Sequence, residues 1–432
     1  MVKADWPINF EQYGPHVDQL MMKLFATESA AFAAFEAGET DLVDWALTKY
    51  WIDRWTGNED INMMDYGGEL GMFQLDINNN ASKPESAATG AIPGTQEDNI
   101  GRVFAFRHAV AHLADRAYII TTIVEGFGAP MYSPMPPAMG GYVNPNVDKH
   151  PYSPADAAAI LDAADIKDHD GDGYRDWPKS IYPSPYKRVE IDFVVRDDHT
   201  PGRKEVGDRM IWELTTNLPG PKLYVDRWSA WGSVGARKWV MAGKSFNIYT
   251  GGWVLSRDPD WMFSLYWTGM YYHPGRPPNY GHICDPQLDV YLEEIYYGGT
   301  AAEVMHGAQN AQAVICDKAL TIALYAASAP KAGRVKYSGP EAPYTGKNWK
   351  GFVNQNGFGL NSWWTTLNAY PEGYEIAPGS VLRYGFKVPE LSMLNPVYTE
   401  WYWDWEVLGR VYDSLFAVNP FDLSEDLEWV AR

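Results

Sequence analysis

Residues Phe104 to Pro137, FAFRHAVAHLADRAYIITTIVEGFGAPMYSPMPP, restrict the fold of this chain more than any other stretch. Apolar residues at Phe106, Val110, Leu113 and Ala117 recur at helical spacing, so one stripe faces a core. Asp115 stands where a carboxylate caps the free N–H groups of a second helix. Gly126 and Gly128 offer the left-handed backbone that ends this helix. A Gly/Pro-rich strand entry follows.

The surrounding sequence keeps alternating between strand and helix patterns. A helix from Glu28 to Ala37 is ended by Gly38, and a strand begins within Asp41 to Trp45. In Leu70 to Asn78, Phe73, Leu75 and Ile77 fall on one strand face, with Gln74 and Asp76 on the other. Ser153 before Pro154 and Asp156 is a helix start. Val189, Ile191, Phe193 and Val195 alternate onto one face of a further strand. A helix over 202–216, a strand over 222–225, a helix over 234–241 and a strand over 246–250 come next. An Ala-rich helix over 301–320 closes the run. Such alternation predicts an α/β layered lobe.

Several motifs together carry a family resemblance. The helical pair reads R-x-A, A-x-x-x-D-R-x-x-I-I, then G-x-G-A-P; Ala34 to Asp41 reads A-x-x-A-G-E-x-D. These resemble the extracytoplasmic solute-binding proteins of family 5, the peptide-, nickel- and oligosaccharide-binding components of ABC importers. The resemblance implies periplasmic-binding-protein-like (type II) lobes with a hinge and an incomplete or permuted larger lobe. It implies a larger-lobe segment near the hinge in 1–50, an α/β ligand-binding lobe in 51–345 and a return to the larger lobe in 346–370. Residues 371–432 resemble the family's N-terminal part, with a first strand, an L-N-P turn and a helix ending in Y-D-S-L. The order is back end first. That implies either a piece of a tandem protein, which is the preferred expectation, or a permuted larger lobe.

The resemblance also implies a function: a receptor, not an enzyme, that delivers a peptide or oligosaccharide to an ABC permease by hinged lobe closure. The alternative is a carbohydrate-active or cell-surface carbohydrate-binding protein. The segment Gly251 to Asp260, GGWVLSRDPD, resembles the family's G-W-x-x-D-x-x-D-P loop. Gly252, Trp253, Ser256, Arg257 and Asp258 are therefore candidate ligand contacts. Ser256 stands where peptide binders of the family place an aspartate for the ligand's amino group, which favours a neutral polyol or sugar. Trp228 and Trp231 match a segment in which the family often places a cleft aromatic; packing against a core is the competing reading for them and for Trp253.

Asp168, Asp170, Asp172 and Asp176 form D-x-D-G-D-G-x-x-D, whose oxygens suit Ca²⁺ at loop positions one, three, five and nine. Position twelve is Lys179 instead of a bidentate glutamate, so a plain Asp/Gly turn is the favoured reading and no cofactor is expected beyond that ion. His108 and His112 sit four apart on a helix and read as structural. No H-E-x-x-H, G-x-S-x-G or Walker pattern is present.

Composition excludes further classes. With 55 acidic against 35 basic residues the formal charge is −20, which repels phosphate backbones and argues against nucleic acid. No apolar run approaches the roughly 20 residues that span a bilayer. Membrane contact is expected only through the permease or an anchor outside the sequence. Cys284 and Cys316 read as small buried hydrophobes. The 19 Trp and 28 Tyr are unusual: indoles are costly to expose, so some fill cores while others suit the lining of a cleft. Residues 1–20 lack a signal peptide's basic start and apolar stretch. Because the resembled family works outside the cytoplasm, a mature form or a fragment in an extracytoplasmic location is expected.

Overall fold

A computed structural model describes residues 15–84, 96–199, 202–271, 278–399, 401–412, 417–418 and 425–426. Strands β1 (Val17–Leu24), β2 (Leu42–Val43) and β3 (Ile61–Met64) come first. Then follow β4 (Gly71–Ile77), β5 (Ser82–Pro84), β6 (Gln96–Asp98), β7 (Gly128–Pro130), β8 (Glu190–Arg196), β9 (Tyr224–Ala230), β10 (Ile248–Val254) and β11 (Thr321–Ala327). The last are β12 (Lys331–Arg334), β13 (Trp349–Lys350), β14 (Tyr370–Pro371), β15 (Ala377–Phe386), β16 (Ala417–Val418) and β17 (Glu425–Asp426). The chain divides into two compact units, one running from Leu70 to Ala326 and the other holding the residues on both sides of it. These edges lie inward of the 51–345 boundaries read from the sequence.

The unit from Leu70 to Ala326 is built on a six-stranded sheet in the order β7-β11-β4-β10-β8-β9. β8 runs parallel to β9 and β10, and β4 runs antiparallel to β10 and β11. Ile191, Phe193 and Val195 of β8 are buried, as their alternation requires. Helix Arg203–Trp212 packs over β8 and β10, with Gly207 so close to Val195 that a Cβ there would lie 2.7 Å from Val195 Cγ1. Gln74 and Asp76, on the supposed polar face of β4, are buried too. Tyr266 and Tyr280 cover that face and donate hydrogen bonds to Gln74 Oε1 (3.3 Å) and Asp76 Oδ2 (2.6 Å).

The helical pair forms as read, with one break. Helix Phe104–Leu113 buries Phe106, Val110 and Leu113, and Asp115 Oδ1 accepts the Tyr118 N–H at 2.9 Å. Ala117 is exposed. The backbone leaves helical geometry at Ala114, so the stripe is rephased and Arg116 turns inward instead. Gly126 takes positive φ, but Gly128 does not and opens β7. The predicted cap at Ser153 forms, its Oγ accepting the Asp156 N–H, and Asp285 Oδ1, not read as a cap, accepts the N–H groups of Gln287 and Leu288. Cys316 is buried, whereas Cys284 is exposed and both are free thiols.

The other unit holds a five-stranded sheet in the order β1-β15-β2-β12-β3. β15 runs parallel to both β1 and β2. The stretch resembling a family N-terminus therefore supplies an inner strand of this sheet. Its helix is Tyr402–Leu408, shorter than read; Asp413, Ser414 and Leu415 of the Y-D-S-L motif lie outside the described residues.

Candidate functional site

Ligands of open α/β sheets meet the crevice at the carboxyl ends of parallel strands. Within the Leu70–Ala326 unit those ends belong to β8, β9 and β10. Trp253 lies on β10, because that strand continues through Gly251-Gly252-Trp253-Val254 paired with β4. The sequence reading had ended the strand at Thr250 and made these residues a loop. Trp253 is half-buried and stacks on Tyr280, ring centroids 6.2 Å apart at 20°. Gly252 sits against the Phe73 ring, which a Cβ would reach at 2.7 Å.

The loop proper begins at Leu255. Ser256 is exposed, its Oγ donating to the Asp258 carbonyl (3.0 Å) and to Asp260 Oδ1 (3.2 Å). Arg257 pairs with the exposed Asp258, Nε to Oδ2 at 3.2 Å. The loop thus offers a hydroxyl and a neutralised ion pair.

Trp228 and Trp231 part company. Trp228 is mid-strand, its Nε1 donating to Asp192 Oδ1 at 2.7 Å and its ring stacked on Trp239 at 5.4 Å. It pairs across Val194 with the level of Tyr249, four residues before Trp253, or about 13 Å back along the strand. Trp231 stands one residue beyond β9 and is 65% exposed. The β8–β10 pairing ends at Tyr249, so Trp231, Gly252 and Trp253 all lie beyond the paired register, toward the carboxyl ends of their strands. Trp231, Gly252 and Trp253 therefore share the carboxyl edge, and Trp228 does not.

Sequence reasoning passed over the groups that shape this edge between the indoles. Arg196 closes β8 and pairs with Asp198, while Arg203 Nη2 donates to Tyr249 Oη at 2.7 Å. Burial works against the Asp198 charge, but Arg196 and then Arg203 hold its carboxyl below the usual range. Asp197 is likewise opposed by burial and held low by Arg227, which also reaches Asp208 at 2.7 Å. The signal was the run Arg196-Asp197-Asp198-His199 directly after an apolar strand. Beneath Trp253 a water-sized cavity is lined by Asp76, Tyr266, Asn279 and Tyr280. Burial raises the Asp76 carboxyl to about 6 despite hydrogen bonds from Tyr280 and Gln74.

The Asp-rich turn lies apart from this edge in the chain. Asp168, Asp170 and Asp176 bring carboxylate oxygens within 4.8 Å of one another; Asp172 is not part of that group. Asp168 is already engaged, accepting N–H bonds from Gly171 (2.6 Å) and Gly173 (2.9 Å), and Asp172 caps Tyr174.

Residues 6–272 match the model of the bacterial extracellular solute-binding proteins, family 5 (middle). The chain belongs to that family. Membership places it among binding proteins rather than enzymes, in a family described as extracellular. No helix among the described residues is long and apolar enough to cross a membrane. No curated protein matches the chain in sequence comparison. Among solved structures it resembles the oligopeptide-binding protein AppA from Bacillus subtilis in complex with a nonapeptide. The TM-score is 0.61 at 15% identity, covering 80% of this chain and 59% of that one. NikZ from Campylobacter jejuni in complex with Ni(L-His) gives 0.59 at 14% identity, with 76% and 56% covered. The mannohexaose-bound periplasmic oligopeptide-binding protein from Thermotoga maritima gives 0.58 at 16%, with 80% and 61% covered. These likenesses show the type II periplasmic-binding-protein-like α/β fold. The chain spans less than two thirds of the length of each.

Proposed function

We propose that this chain acts as an extracytoplasmic solute receptor that hands an oligosaccharide or peptide to the permease of an ABC importer, with a neutral oligosaccharide the better fit. The supporting observation is the carboxyl edge of β8–β10, where Trp231 and Trp253 present indole surface beside the Ser256 hydroxyl. Indole faces stack on the apolar faces of sugar rings, and hydroxyls and backbone groups satisfy the sugar's own hydroxyls. A peptide's ammonium group asks for an uncompensated carboxylate. Here Asp258 is paired with Arg257, and Asp197 and Asp198 with Arg227 and Arg196. The family relatives bound to a nonapeptide and to mannohexaose keep both ligand classes in the test. The chain passes between its two units only at Glu69/Leu70 and Ala326/Ala327, the connectivity that hinge motion uses.

Isothermal titration of the chain against manno- and gluco-oligosaccharides and against short peptides tests the reading. Trp231→Ala and Trp253→Ala should each weaken binding roughly tenfold, about 1.4 kcal/mol, while Trp228→Ala should act mainly on stability. Equal affinity in both edge variants removes the site from consideration. Release of shorter glycans from the oligosaccharides would favour the carbohydrate-active alternative instead.

A further inference from the structure

Histidines 108, 112 and 150 gather where helix Phe104–Leu113 meets the loop before helix Pro154–Ala163. His150 Nε2 lies 3.1 Å from His108 Nδ1 and 3.6 Å from Asp148 Oδ2. His112 packs edge-on against the His150 ring, centroids 5.4 Å apart, and its Nδ1 is engaged by the Pro151 carbonyl at 2.8 Å. His150 is buried and held at a φ of +43°, a backbone conformation that non-glycine residues adopt only when their surroundings demand it. The Phe104 ring stacks on His108 at 4.0 Å between centroids.

We propose that His108 Nδ1, His150 Nε2 and Asp148 form a binding site for a divalent transition ion of the zinc class, apart from the ligand-binding edge. Donors around tetrahedral zinc, at about 2.0–2.1 Å from the metal, stand ~3.3 Å from each other. The two separations that involve His150 Nε2 bracket that spacing. Asp148 does not yet close on His108; its side chain is half exposed and can turn in to complete the third edge. His108 Nε2 is buried without a hydrogen-bond partner, and the ring's Nδ1 faces His150 Nε2. Burial lowers both rings from the ordinary histidine range, His150 to about 4, so both are neutral at pH 7 as ligands must be. Two imidazoles and one carboxylate suit zinc and its neighbours better than calcium or magnesium.

The bound ion would displace the proton shared between the two rings and pin the 143–152 loop to the helix. Zn²⁺ titration and Co²⁺ visible absorption on the full chain test this. A Cys284→Ser background keeps the exposed thiol from competing. One equivalent of Zn²⁺ should bind, and Co²⁺ should show the d–d bands of a low-coordinate site. His108→Gln and His150→Gln should each weaken binding tenfold or more, with circular dichroism reporting an intact fold. His112→Gln and Asp170→Asn should leave it within twofold. No binding to the parent, binding indifferent to both histidine variants, or binding lost with Asp170→Asn would each overturn the assignment.

Discussion

Gly251 shows how a residue can look like a turn and serve as packing. In the sequence Gly251-Gly252 reads as punctuation after a strand, because paired glycines usually mark loops. In the structure a Cβ on Gly251 would collide with Asp76 Oδ2, and one on Gly252 would strike the Phe73 ring. Glycine inside a strand often marks such a close approach, but a single sequence does not say which neighbour approaches. Asp76 has little room to retreat, since Tyr280 Oη and Gln74 Nε2 each hold its carboxylate at 2.6 Å. Gly251→Ala should therefore destabilise the Leu70–Ala326 unit by about 2–3 kcal/mol, overpacking combined with a strained buried hydrogen-bond network. A urea midpoint within 0.5 kcal/mol of the parent, as an order-of-magnitude threshold, would mean that Asp76 moves freely after all. Trp231 and Trp253 were read as candidates through the family resemblance of their segments. Arg196, Arg203 and Asp198 were not, because their pairing depends on neighbouring strand ends that only the folded sheet brings together.

Among the elements, those with chemical punctuation were legible. Ser153 caps a helix, and Thr27 and Thr300 do the same, each accepting a backbone N–H in the first turn. The elements that escaped lack such marks. Helices at Arg116 and Arg203 pass into wider five-residue turns at Ile119–Ile123 and Glu213–Asn217, and nothing in the sequence explains the change. The Asp-rich turn was legible as a turn, and several of its carboxylates already accept backbone N–H groups. Backbone N–H groups of Gly171 and Gly173 satisfy Asp168 and lower its carboxyl from the usual value although desolvation opposes them. Asp170 accepts from Asp172. EGTA should accordingly leave the melting temperature unchanged. A clear drop on chelation, reversed by added Ca²⁺, would assign the turn a structural ion.

At the scale of the whole chain, the least expected feature is that β15, from the far end of the sequence, lies between β1 and β2. Its likeness to a family N-terminus was legible; its place in the sheet was not, since strand order depends on contacts across more than three hundred residues. Two buried carboxylates flanking β2 secure it. Asp41 Oδ2 accepts the Arg383 N–H at 2.9 Å, and its Oδ1 accepts Trp349 Nε1 at 3.2 Å. Asp44 accepts the Lys387 N–H and Trp403 Nε1. Burial raises both carboxyls to about 6, outweighing Arg383 at Asp41 and Lys387 and Lys331 at Asp44. Unfolded, an aspartate titrates near 3.9. The folded form therefore binds protons that the unfolded form has released between about pH 4 and 6. The stability that protonation lends is complete below pH ~4 and lost as pH rises through 6, on the order of 3 kcal/mol for each group. Asp44→Asn cannot ionise and retains one acceptor for its two donors. Its stability relative to the parent should rise between pH 4 and 7 as the parent loses this contribution, measured by urea denaturation at steps across that range. Parallel pH profiles for parent and variant would mean that Asp44 is charged throughout and that its attraction to Lys387 and Lys331 outweighs its burial.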